Sequence, residues 1–87
     1  MKMGNENDIE FRIEKLEFEK EEIEDEIKAT EKIIQEMKEM KDRIPIKDIN
    51  IKVSRYIQDL EYNKLNNEII KEQLERDINK IIGIEND

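Results

Sequence analysis

The chain has 87 residues and a mass of 10.6 kDa, enough for one small domain. Lys and Arg number 16 against 24 Asp and Glu, a net charge of −8, and charged residues make up 46% of the sequence. Cys, His and Trp are absent, which excludes a disulfide scaffold, a thiolate or imidazole metal site, and any Ser–His or Cys–His nucleophile.

Such a charge fraction with only 36% hydrophobic residues raises the question of disorder. Leu, Ile, Val and Phe together number 24 of the 87 residues, however, above the level of about one fifth below which chains tend not to fold. The Ile residues also recur at helical spacing, and only two Gly and one Pro interrupt them. An ordered helical protein is the expectation. No apolar run approaches the roughly 18 residues of a membrane span. The N-terminal stretch lacks the apolar centre of a secretory signal, so the expected location is cytoplasmic.

Asn7 followed by Glu10 has the pattern of a helix N-cap with its reciprocal acid. A seven-residue register then runs without a break. Ile13, Lys20, Ile27, Ile34 and Lys41 take position a, and Ile9, Leu16, Ile23, Thr30, Met37 and Ile44 take position d. Apolar residues at alternating spacings of three and four form the seam of a coiled coil. Pro45 stops this helix, since it lacks an amide hydrogen and restricts the residue before it. The first helix is expected over residues 7–43, about 55 Å long at the helical rise. Phe11 and Phe18 fall at f, outside the seam, and are expected either to fold against residues 78–84 or to contact another chain. Ile33 and Met40 at g widen the apolar face toward the end of the helix, as in bundles of three or more helices.

Within this helix lies an acidic block: Glu17, Glu19, Glu21, Glu22, Glu24, Asp25 and Glu26, opposed only by Lys20. Four of these acids sit at e and g, so a parallel copy of the same helix alongside would set like charges together. An antiparallel partner is favoured. The block is either a solvating face or a surface that draws in a basic partner.

Residues 44–53 alternate apolar and polar, and a compact loop leading into a helix is preferred over a very short hairpin. Asp48 and Ser54 are the candidate caps, and the Ile residues of the loop should be partly buried. The second helix is expected over 54–82, with Ile57, Leu60, Leu74, Ile78 and Ile81 in one register and Lys64, Asn67 and Lys71 in its polar middle. Gly83 supplies a stop signal, and short tails complete the chain. Tyr62, Leu65 and Ile69 form a stripe on another face.

A short connection makes adjacent helices antiparallel, with facing residue numbers adding to about 96. That register sets Asn67 beside Thr30 and Lys71 beside Asp25, and brings Lys20 near Arg76 and Asp77. The expected fold is therefore all-α: a single antiparallel helical hairpin of coiled-coil type. Two helices bury little apolar area, so association into a helical bundle is also expected, through Ile33, Met40, Tyr62, Leu65 and Ile69.

No constellation for chemistry emerges. Carboxylates on a thin rod lack the sheltered cleft that separates the pKa values of an acid and a base. Gly4 and Gly83 are isolated, so no phosphate-binding loop is present, and the acidic block lacks the loop geometry of a calcium site. No catalytic residue, cofactor or metal is expected. The scattered cations and negative charge oppose nucleic-acid binding.

The expected role is a non-catalytic protein–protein interaction module (an adaptor, assembly factor or scaffold) that binds itself or another protein by helix packing. The alternative is a small acidic inhibitor, of the kind phages and mobile elements encode, that covers a nucleic-acid-binding or regulatory surface. A third reading is a holdase-like chaperone with client contacts around Phe11 and Phe18. No motif assigns the chain to a family.

Overall fold

The computed structural model describes residues 5–86, with side chains for residues 8–83. Helix α1 spans Asn5–Lys41 and helix α2 spans Lys47–Asn86. They fold back on each other as an antiparallel hairpin, a rod measuring 67 × 17 × 15 Å. The first helix begins before Asn7, whose side chain lies outside the described residues together with its capping bond.

The seam explains the shape. Among the described residues the four buried side chains, Ile27 and Ile34 on α1 and Ile57 and Ile78 on α2, all occupy position a. In α2 the register sets Asn50, Ile57, Lys64, Lys71 and Ile78 at a, and Val53, Leu60, Asn67, Leu74 and Ile81 at d. The d residues are half-buried, since a two-helix rod leaves one flank of each open to water. Lys20, Lys64 and Lys71 also stand at a. Their aliphatic stems lie along the seam while each ammonium reaches an acid at an e position of the facing helix. The pairs are Lys20–Glu75 at 3.5 Å, Lys64–Glu31 at 3.6 Å and Lys71–Glu24 at 3.2 Å. Lys38–Glu61 at 3.6 Å joins two e positions. The three pairs from position a realise the expected antiparallel register to within about one residue, with Glu75 in place of Asp77 and Glu24 in place of Asp25. Being partly exposed, each is worth only about 0.2–1 kcal/mol, so the pairs set register more than stability.

The polar layer inside the seam differs in detail. Asn67 Nδ2 donates to Glu26 Oε2 at 3.2 Å rather than to Thr30. Thr30 Oγ1 donates to the Glu26 carbonyl of its own helix at 2.8 Å. A threonine hydroxyl in a helix finds the carbonyl one turn back before it finds a partner across the seam.

The connection is shorter than the alternation suggests, occupying residues 42–46 instead of 44–53, and α2 begins at Lys47 instead of 54. The end of α1 tightens, with Arg43 N–H donating to Met40 O at 3.0 Å and Ile44 N–H to Lys41 O at 3.1 Å, and Pro45 prevents further helix. Helical bonding resumes at once, Asn50 N–H donating to Ile46 O at 2.9 Å, so Ile46 occupies the N-cap position. Asp48 lies in the first turn, where its charge suits the helix dipole. Ser54 is no cap: its hydroxyl donates to Asn50 O at 3.0 Å inside the helix. Ile46, Ile49 and Ile51 are exposed within this chain, and only Ile44 and Val53 in the segment are half-buried apolar residues. With α2 already helical from Lys47, the side chains at 49 and 51 point away from the seam, which takes Asn50 and Val53 instead.

Gly83 does not end α2, which continues to Asn86. A stop glycine works when the chain must turn into a left-handed conformation, and no neighbour imposes that turn here. A Cβ at Gly83 meets nothing within 4 Å. Gly83→Ala should therefore raise the stability of the hairpin by up to about 0.5–1 kcal/mol, seen as a higher thermal midpoint by circular dichroism. A lower midpoint would show that residue 83 turns in solution.

Candidate interaction surfaces

Reversing the second helix sets the e positions of α1 and α2 side by side along one flank of the hairpin, and the g positions along the other. The two flanks differ in chemistry. Every interhelical ion pair among the described residues lies on the e flank. The g flank carries Ile33 and Met40 from α1 and Ile49, Tyr56 and Ile70 from α2, all exposed. Tyr56 and Ile70 are absent from the sequence-based candidates. The register of Ile57, Leu60, Leu74, Ile78 and Ile81 already places both at g, so that register is the signal that could have found them.

Of the expected contact residues, Ile33 and Met40 join this flank. Tyr62 and Ile69 at f, and Leu65 at b, lie instead on the outer face of α2, about 100° or more around the helix from g. The structure therefore divides the single expected apolar face into two. Tyr62, 68% exposed, and Leu65 line a shallow groove with Gln58 and Glu61, and Ile69 follows two turns after Tyr62. Phe11 and Phe18, at f of α1, are 67% and 61% exposed. The expected burial against residues 78–84 does not occur, because f points away from the facing helix.

In the acidic block, Glu24 and Glu26 are engaged across the hairpin by Lys71 and Asn67. Glu17, Glu21, Glu22 and Asp25 are exposed, while Glu19 and Glu24 are half-buried. At the open end a further shallow groove has Leu16 and Ile81 at its floor and Arg12, Lys15, Glu19, Asp77 and Lys80 at its rim. Among the described residues no group of three or more His, Cys, Asp or Glu is arranged to hold a metal ion, and no helix is long and apolar enough to cross a membrane.

The chain matches no protein-family model, no curated protein and no solved structure.

Proposed function

We propose that this hairpin is a non-catalytic protein–protein interaction module that presents the Tyr62–Leu65–Ile69 stripe of α2 to another protein. One observation carries the reading: three large apolar side chains share the outer face of a helix whose own seam is already satisfied by α1. Isolated exposed apolar residues are ordinary, whereas a stripe spaced by three and four on one helix is the pattern that docks into a groove or against a second helix. The hairpin acts as a rigid ruler on which that stripe is mounted, as an adaptor, assembly factor or scaffold requires.

The test is capture of the partner by tagged protein, compared between wild type and Leu65→Asp. Loss of at least tenfold in capture, with unchanged helicity, is expected, because a carboxylate would be desolvated in the contact. Undiminished capture by the variant would overturn the stripe as the binding surface.

A second reading has its own support. The exposed acids Glu21, Glu22 and Asp25 form a negative surface next to Glu26, suited to covering a basic nucleic-acid-binding or regulatory surface as an acidic inhibitor. Such binding would weaken steeply as salt rises, and reversing these acids to Lys would abolish it. Packing through Leu65 would persist under both changes.

A further inference from the structure

The g flank also lacks a cover, and three features of the chain agree on what covers it. The first is area. The chain exposes 6989 Å², whereas a compact monomer of its mass exposes about 5,500 Å². The surplus of about 1,500 Å² reflects the rod shape, and it exceeds the roughly 800 Å² that one partner contributes to a standard interface. The second is the order of residues along the flank. At the Ile33–Asn63 level both helices contribute one g residue. One heptad toward the turn stand Met40 and Tyr56, and one heptad toward the open end stand Glu26 and Ile70. The third is charge along the rod. Residues 38–55 at the turn carry six cations (Lys38, Lys41, Arg43, Lys47, Lys52, Arg55) against three acids, while residues 17–26 carry seven acids against one Lys.

We infer that a second copy of this chain packs antiparallel on the g flank, with a two-fold axis through the Ile33–Asn63 level, to form a four-helix bundle. A single placement satisfies all three features. Rotation about that axis lays Ile70 of one copy against Tyr56 of the other, with Met40 diagonal to Ile70 and facing the aliphatic stem of Glu26. The same rotation brings residues 17–26 level with residues 40–49 of the other copy, and sets the acidic block over the basic turn. Ile33 meets its own equivalent, and Asn63 meets Asn63, a polar pair of the kind that fixes register in helical assemblies. The surface is isologous, as a two-fold dimer requires. It leaves the outer Tyr62–Leu65–Ile69 stripe free, so the dimer is independent of the partner contact proposed above.

Sedimentation equilibrium of the full chain at about 100 μM and low salt reads the outcome directly. Wild type is expected at twice 10.6 kDa, with dissociation favoured by added salt. Ile70→Lys is expected to sediment as one chain with its helicity retained, since the side chain is exposed in the hairpin. Charge exchange tests the orientation. A chain with Arg43→Glu and Lys52→Glu, and a second with Glu19→Lys and Glu22→Lys, should each be monomeric alone and should dimerise when mixed. A wild-type mass of one chain would overturn the dimer. So would Ile70→Lys at full dimer mass, or either charge variant dimerising alone as well as wild type. A monomer that still captures a partner through Leu65 would remove the dimer and leave the proposed function standing. A dimer whose Leu65→Asp variant captures as wild type does would do the reverse.

Discussion

Ile57→Ala is expected to lower the unfolding free energy of the hairpin by about 2–4 kcal/mol, and Ile69→Ala to change it by no more than about 0.5 kcal/mol. Both substitutions remove the same atoms from the same helix. Ile57 is 5% exposed in the seam, so its loss removes apolar burial and leaves a cavity between the two helices. Ile69 already faces water. Among the described residues only four side chains are buried, so each carries a large share of a stability that for small domains totals about 5–15 kcal/mol. Urea denaturation followed by circular dichroism measures both values, and the thermal midpoint of Ile57→Ala should fall by roughly 10–25 °C. Equal losses at the two positions would show that Ile69 is buried in solution.

The second large effect is expected at Asn50. Its side-chain Nδ2 donates to Lys41 O at 2.9 Å, a carbonyl that already accepts from Ile44 N–H, and reaches Ile44 O at 3.5 Å, so one amide from α2 ties the end of α1 to the turn. The site is part-buried, and water replaces the amide poorly. Asn50→Ala should cost about 1–2 kcal/mol and speed hydrogen exchange at the turn amides of Arg43 and Ile44. Asn50→Asp should cost more than Ala, because a carboxylate has no hydrogen to give and would face two carbonyl oxygens. Stability in the order Asn, Asp, Ala by urea midpoint would contradict this account of the turn.

These residues also show where sequence reasoning reaches and where it stops. The periodicity of α1 is unbroken over nearly five heptads, so its helix and seam are legible, and Pro45 marks its end. Asn50 is different. By pattern it belongs to an alternating segment, with Ile49 and Ile51 beside it, that reads as extended chain. Its role depends on two carbonyls six and nine residues earlier, which become its neighbours only when the chain has folded back. Ser54 and Gly83 likewise carry local signals for helix ends, and both lie inside α2. A cap or stop residue acts only when the backbone beside it leaves the helix, and here nothing competes with continued helical hydrogen bonding. Phe11 and Phe18 show the opposite error. Hydrophobicity argues for burial, but angular position decides it, and f lies opposite the seam.

The sequence by itself therefore determines the helical class, the antiparallel pairing and the register, because these follow from periodicity, a single proline and complementary charge along two helices. Only the tertiary structure decides where α2 begins, which flank the ion pairs occupy, and that Ile33 and Met40 share a surface with Tyr56 and Ile70 instead of with Tyr62, Leu65 and Ile69. The physical reason is that a flank of a hairpin is made by two helices at once. Its residues are far apart in the chain, and their adjacency exists only after the seam has set the rotation of each helix against the other.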